Sequence, residues 1–185
     1  MREQGEQVYF YSGKLTEEQI IFLSPELVVS YNYSYLIPKN MIQLVKERIV
    51  NLHISYLPWN KGADPNFWSF IDDTPKGVTI HKLSEGLDQG DILLQKELFF
   101  NEKKETFRTT YESLNQEIVA LFTEHFQKIK KQILTPYVQQ GAGAYHRRKD
   151  LEDFMEGKAI DWDETIYDFK QRMIGSIENS GKEKM

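Results

Sequence analysis

The sequence contains no cysteine, and this absence removes a whole group of functions. Disulfide bonds, thiolate metal sites and cysteine nucleophiles all require that side chain. Long apolar runs are missing as well, since no stretch approaches the roughly 20 residues that span a bilayer, and the first residues lack the apolar core of a signal peptide. We therefore expect a cytoplasmic protein that does not insert into a membrane.

A strong positive charge is also absent. Lys and Arg number 23 against 28 Asp and Glu, which gives a net charge of −5. The sequence therefore does not predict a nucleic-acid partner. Short basic stretches at 128–131 and 146–149 still leave room for a small anionic substrate, because local charge can oppose the net charge.

Apolar strand-like segments alternate with helical patterns along the chain. The strand-like segments are 7–11, 26–31, 49–53, 77–83 and 91–100, and the helical ones are 16–24, 39–45, 65–72 and 109–134. This alternation predicts an α/β fold with a mostly parallel sheet. The pattern changes after Pro136, so we expect a catalytic domain at 1–150 and a helical appendage with a tail at 151–185.

The most informative residues are an amide, an imidazole and a carboxylate. Asn51 and His53 close the predicted strand 49–53, and Asp88 precedes Gly90. Ligands of such sheets bind beyond the carboxyl ends of the strands. Asn and protonated His stabilise an oxyanion, while Asp orients the His and helps to move a proton. Each residue alone has an ordinary structural explanation, but the set suits transfer of a small acyl group to an amine.

The spacing of these residues resembles that of the formyltransferases that use 10-formyltetrahydrofolate. The matching motifs are Asn51-x-His53-x-Ser55-x-Leu57-Pro58, Gly77-Val78-Thr79-Ile80-His81 and Asp88-x-Gly90-x-Ile92. The family includes glycinamide ribonucleotide and methionyl-tRNA formyltransferases and the N-formyltransferases of nucleotide-linked amino sugars. Segments 55–68 and 73–77 are most similar to the sugar branch. The resemblance extends over about 25–150 of the chain.

The resemblance implies a Rossmann-like fold, 10-formyltetrahydrofolate as co-substrate and no metal. Asn51 and His53 would hold the oxyanion, and Asp88 would keep His53 charged, which raises the pKa of His53. The loops that wrap the pterin correspond to Tyr33, Ser34, Tyr35 and Leu36 and to Ser84, Glu85, Gly86 and Leu87. The expected contacts with the amino sugar are Trp59, Asn60 and Lys61. His81 either packs in the core or lines the site as a structural residue, or it contacts the catalytic groups.

The start of the chain departs from the family pattern. Family members open with a strand and a helix that supply a central strand, so we expect this fold to lack the first strand–helix unit and its sheet to have a gap. Either Met1 is not the true start, or the domain is a remnant, or another element fills the slot.

The main hypothesis is an N-formyltransferase that acts on the primary amine of a small molecule, namely a nucleotide-linked amino sugar, and that could form a homodimer. One alternative is a non-catalytic remnant, or a folate-binding or interaction protein of the same fold. The other is an enzyme like methionyl-tRNA or glycinamide ribonucleotide formyltransferase. The methionyl-tRNA branch is less favoured, because few residues follow Asp150 for a second, RNA-binding domain.

Overall fold

The computed structural model describes residues 5–182, with side chains as far as Ile174. The strands are β1 (Val28–Tyr31), β2 (Ile49–His53), β3 (Lys61–Gly62), β4 (Lys76–Lys82), β5 (Ile92–Leu98) and β6 (Tyr145–His146). The helices are α1 (Glu17–Leu23), α2 (Lys39–Leu44), α3 (Pro65–Ile71), α4 (Phe107–Lys130), α5 (Arg148–Met155) and α6 (Ile166–Lys182).

A four-stranded sheet in the order β1-β2-β4-β5 forms the centre, and β3 and β6 form a separate two-stranded ribbon. The predicted α/β class is confirmed. The sheet is mixed rather than mostly parallel, because β1 and β2 are parallel while β4 is antiparallel to both β2 and β5. The last residue of β2, His53, is in register with Thr79 of β4. The chain therefore leaves β2 and enters β4 at the same end of the sheet, which makes the two strands antiparallel. The expected gap is not found among the described strands, which are hydrogen-bonded neighbours.

Helix α4 covers one face of the sheet. Its buried residues Leu114, Ile118 and Phe122 recur at intervals of four and pack against the strand residues Leu52 and Ile80. The helix begins at Phe107, two residues before the predicted start, because Thr106 caps it. The side chain of Thr106 accepts a hydrogen bond from the backbone N–H of Thr109, and the side chain of Thr109 accepts one from the backbone N–H of Thr106.

An aromatic cluster joins α3 to the C-terminal helices. Phe67 and Phe70 of α3 pack with Phe107 at the start of α4, and Phe169 of α6 completes the cluster. The ring centroids of Phe67 and Phe107 lie 5.0 Å apart. The segment after residue 150 therefore shares a hydrophobic cluster with α3, and its separation as an appendage stays a prediction.

The predicted strand at 7–11 is wrong. These residues are described without regular secondary structure, although Tyr9 and Phe10 are types that favour strands. They belong to neither of the two described sheets, so β propensity alone did not make a strand here. Helix α5 and the β3–β6 ribbon were not predicted.

Candidate active site

Alternation along two paired strands brings the polar residues to one face of the sheet. Successive strand residues point to opposite faces, so Asn51 and His53 share a face while Leu52 points into the core beneath α4. Asn51 is in register with His81, and His53 is in register with Thr79. Sequence therefore places two histidines and an amide on adjacent strands.

Asp88 reaches this cluster from the loop between β4 and β5. One carboxylate oxygen accepts a hydrogen bond from Asn51 Nδ2 at 3.2 Å and lies 3.4 Å from His81 Nε2. The other accepts a hydrogen bond from the backbone N–H of Gly62 at 2.9 Å and lies 3.8 Å from His53 Nδ1. The structure thus brings together the three predicted catalytic residues.

The carboxylate of Asp88 stays charged in this environment. Burial alone would raise its pKa, but His53 and His81 and the N–H of Gly62 together hold the pKa of Asp88 well below its usual range. Asp88 is therefore a permanent anion at neutral pH and a poor proton acceptor. An anion at this place favours positive charge on a neighbouring imidazole.

His53 behaves differently from the sequence expectation. Burial lowers the pKa of His53, and this effect exceeds the attraction of Asp88; His81 lowers the pKa further. The expected upward shift is therefore wrong for this structure, because the side chain is only 7% exposed and its nearest Asp88 oxygen is beyond hydrogen-bond distance. His53 Nε2 lies 3.2 Å from the carbonyl of Asn60, which can only accept, so we assign the proton to Nε2. Nδ1 of the neutral ring then faces Asp88 with its lone pair.

We expect the protein to lose stability in mild acid through His53. The unfolded chain takes up a proton as the pH falls through the ordinary histidine value of 6.5, whereas the folded chain resists protonation at this site. The free energy of unfolding should therefore fall as the pH drops below about 7, at up to ~1.4 kcal/mol per pH unit, until the lowered folded pKa is reached.

Urea unfolding between pH 7 and pH 5 measures this slope. His53→Gln should show a shallower slope than the parent chain. Equal slopes in the two proteins would contradict a buried neutral His53.

The β3–β6 ribbon positions the N–H that binds Asp88. Gly62 has a φ of +90°, and a Cβ there would lie 2.2 Å from the backbone oxygen of His146. We expect Gly62→Ala to destabilise the fold by roughly 1–3 kcal/mol through this strained conformation and to push β3 away from Asp88. Gly141→Ala is the matched control, because Gly141 has a φ of +88° and no atom within 4 Å of such a Cβ.

Thermal melts of the two alanine variants separate backbone strain from the clash. Both variants should lose stability from the positive φ. A loss at Gly62 no larger than the loss at Gly141 would show that the ribbon does not depend on close packing there.

The residues expected to contact a sugar lie in the loop before and at the start of β3. Trp59 and Lys61 are partly exposed. The side chain of Asn60 is 0% exposed and donates a hydrogen bond to Thr74 at 2.7 Å. The predicted contact of Asn60 with the sugar is therefore wrong for this structure. The side chain of Asn60 points into the interior, and its backbone carbonyl lies at hydrogen-bond distance from His53 Nε2.

A family model described as formyl transferase matches residues 13–125 of the chain, which is more than half of it. The chain belongs to the formyl transferase family. The crystal structure of the formyltransferase PseJ from Anoxybacillus kamchatkensis, in complex with UDP-4,6-dideoxy-4-formamido-L-AltNAc and tetrahydrofolate, is 42% identical, with a TM-score of 0.83 over 90% of this chain and 87% of that one. A 4-N formyltransferase from Francisella tularensis is 28% identical, with a TM-score of 0.67 over 76% of this chain and 56% of that one.

Curated relatives are longer than this chain. A methionyl-tRNA formyltransferase from Thermodesulfovibrio yellowstonii is 36% identical over 141 residues, which are 76% of this chain and 44% of that protein. The chain thus spans less than half the length of this relative. The predicted family resemblance is confirmed, and the choice between its branches is a separate question.

The formyl transferase resemblance assigns two loops of the chain to the pterin. The first follows β1 and exposes Tyr35 and Leu36, while the second follows β4 and exposes Leu87. An ion pair between Lys39 and Glu85 links α2, which follows the first loop, to the second. The assignment of these two loops to the folate stays a prediction. The remaining residues of these loops are Tyr33, Ser34, Ser84 and Gly86.

Two contributors to the site were missed or left open by the sequence. His81 is 1% exposed and contacts both Asp88 and Asn51, which favours the functional reading of this residue. The sequence feature that indicated His81 is the alternation of side chains along a strand, which puts His81 on the same face as Thr79. The N–H of Gly62 left no signal, because a backbone donor can be of any residue type.

Two negative observations apply to the described part of the chain. No group of three or more His, Asp or Glu residues is arranged to hold a metal ion. No helix there is long and apolar enough to cross a membrane.

Proposed function

We propose that the chain transfers a formyl group from 10-formyltetrahydrofolate to the primary amine of a nucleotide-linked amino sugar. The observation that carries this proposal is the convergence of Asn51, His53 and Asp88 in one largely buried cluster. The similarity to PseJ supports the acceptor class, since it extends over 87% of that chain and PseJ was crystallised with a UDP-linked formamido sugar and tetrahydrofolate.

The protonation states suggest how the residues divide the work. 10-Formyltetrahydrofolate supplies the electrophilic formyl carbon, which the acceptor amine attacks. Neutral His53 takes the amine proton at Nδ1 as the new C–N bond forms, directly or through a water molecule. Asp88, which stays ionised, stabilises the resulting imidazolium. The imidazolium then returns the proton to the leaving nitrogen of tetrahydrofolate.

Asn51 holds the developing oxyanion in this scheme, together with the imidazolium of His53. In this structure the Asn51 amide nitrogen contacts both Asp88 Oδ1 and His81 Nε2, each at 3.2 Å. Binding of the formyl oxygen requires Asn51 to exchange or share one of these bonds. The proposal therefore gives Asn51 two successive tasks, first in ordering Asp88 and then in the transition state.

The proposal assigns the loops 33–36 and 84–87 to the folate and assigns Trp59 and Lys61 to the nucleotide-linked sugar. The partial exposure of Trp59 and Lys61, close to the Gly62 N–H that binds Asp88, supports this assignment. A cytoplasmic location and a homodimer stay predictions.

A methionyl-tRNA acceptor is the second candidate. The observation in its favour is the 36% identity to the methionyl-tRNA formyltransferase from T. yellowstonii. The 42% identity to PseJ, over a far larger share of that protein, favours the sugar. The net charge of −5 also argues against a large RNA surface.

An acceptor panel tests the proposal. The purified chain is incubated with 10-formyltetrahydrofolate and, separately, a UDP-linked 4-amino sugar, a dTDP-linked amino sugar, glycinamide ribonucleotide and methionyl-tRNA. Mass spectrometry of each acceptor then detects the amide. We expect formylation of a nucleotide-linked amino sugar, and formylation of methionyl-tRNA alone would overturn the acceptor assignment.

A further inference from the structure

Residues 137–146, which we call the strap, cross the candidate active site after α4 has ended. The strap begins at Tyr137, whose backbone exchanges two hydrogen bonds with Ile92 at 2.8 and 3.0 Å. It ends in β6, which pairs with β3 beside Asp88. The strap therefore contacts the chain on both sides of the catalytic carboxylate.

Gln139 is the strap residue that contacts the Asp88 loop. Its amide nitrogen donates hydrogen bonds to the backbone oxygens of Asp88 at 2.8 Å and of Gly90 at 2.9 Å. Both amide hydrogens are thus used to hold two carbonyls that are two residues apart. The oxygen of the same amide is buried and has no hydrogen-bond partner among the described residues. A buried, unpaired acceptor costs free energy. We therefore attribute the position of this side chain to the two hydrogen bonds that its amide nitrogen donates.

The loop that Gln139 holds has a demanding geometry. Asp88 has a left-handed backbone with a φ of +51°. Gly90 is pressed against β4, because a Cβ there would lie 1.7 Å from the carbonyl oxygen of Lys82. Aspartate adopts this conformation more readily than most residues but less readily than glycine, so contacts that hold the loop help to maintain it. The direction of the Asp88 carboxylate follows from this backbone conformation.

We propose that Gln139 is a positioning residue that fixes the Asp88 carboxylate against His53. Gln139 lies outside residues 13–125, the part of the chain that the family model matches. Among the described hydrogen bonds, its side chain bonds neither Asn51 nor His53 and holds the backbone oxygens of Asp88 and Gly90. Its effect on turnover rests on the proposed function, whereas its effect on His53 does not.

The test compares Gln139→Leu with Gln140→Leu. Leucine is close to glutamine in size and cannot donate. Gln140 is the adjacent, exposed control, whose side chain donates to the nearby carbonyl of Val138 and to no catalytic residue among the described hydrogen bonds. Gln139→Asn is the second variant, because it keeps the amide but shortens the side chain so that it cannot reach both carbonyls.

The first measurement needs no substrate. The pKa of His53 is followed by NMR titration of its imidazole, assigned with a His53 variant. A carboxylate that is no longer held beside the ring attracts the imidazolium less, so we expect both Gln139 variants to lower the pKa of His53 relative to the parent and to Gln140→Leu. An unchanged pKa in a folded Gln139→Asn would overturn the proposal, whether or not the leucine variant folds.

The second measurement separates positioning from a purely structural role. Below the melting temperature of each variant, we expect kcat for formyl transfer to fall about ten-fold, because small misplacements of a catalytic group are costly. KM for both substrates should change by less than about two-fold. A normal kcat with a normal His53 titration would refute the role of Gln139. A parent chain that transfers nothing would refute the proposed function, while the titration would still decide on Gln139.

Discussion

Asp88→Asn should lower kcat for formyl transfer by on the order of 10³–10⁴-fold, by analogy with loss of the carboxylate from a serine-protease triad. Asparagine is nearly isosteric with aspartate and tolerates the left-handed conformation that Asp88 adopts, with a φ of +51°. It can still accept the hydrogen bond from the Gly62 N–H. What it removes is the negative charge beside His53, so proton uptake by the imidazole during the reaction becomes unfavourable.

Asp91→Asn is the matched control for this change. Asp91 is exposed, lies three residues further along the same loop, and is bonded to Lys82 through its backbone only in the described contacts. Single-turnover rates and thermal melts of both variants decide the question. Near-parental turnover of Asp88→Asn would remove Asp88 from the mechanism. A large loss in Asp91→Asn would point to the loop rather than to the charge.

His53→Ala should raise the activation free energy of the chemical step by about 2.7–4 kcal/mol, the range that removal of an oxyanion-hole donor causes. The imidazole acts mainly on charge that develops in the transition state, so the dissociation constant of folate should change little. His53→Gln keeps more of the side-chain volume and guards against a collapse of the site. A non-catalytic protein of the same fold has no chemical step to lose.

His125→Ala provides the control for His53→Ala. His125 lies on α4 and is partly buried, with Nδ1 3.1 Å from the carbonyl of Leu121, so it matches His53 in type but not in position. Rapid-quench measurement of formyl transfer, with folate binding by calorimetry, gives the rate and the affinity separately. Equal rates for His53→Ala and the parent would rule out His53 as the catalytic group.

Much of the main sheet was predictable from local patterns. The strand-like segment 49–53 predicted β2 with its observed bounds, and the helical pattern at 16–24 predicted α1, where Thr16 and Gln19 form a capping box. Such signals act over a few residues and need no tertiary context. The motif spacing likewise predicted that Asn51, His53 and Asp88 would meet, and the structure shows that they do.

Other features depend on packing that the sequence does not display. The β3–β6 ribbon pairs two residues with two residues more than 80 positions away, too few to leave a pattern. The shift in the pKa of His53 was predicted in the wrong direction. Its direction depends on whether burial, which lowers the pKa, outweighs the carboxylate of Asp88 at 3.8 Å, which raises it. Asn60 was predicted to contact the amino sugar, whereas its side chain bonds Thr74 in the interior.

The most direct test of the central claim is the stoichiometry of one turnover. The chain, in excess over 10-formyltetrahydrofolate, is mixed with a nucleotide-linked amino sugar that the acceptor panel identifies, and the reaction is quenched over time. Our account predicts that tetrahydrofolate and the formylated sugar appear together in equal amounts, and that both disappear when Asp88→Asn is used. Folate that binds but stays formylated with every amine offered would contradict it and identify the chain as a non-catalytic member of the family.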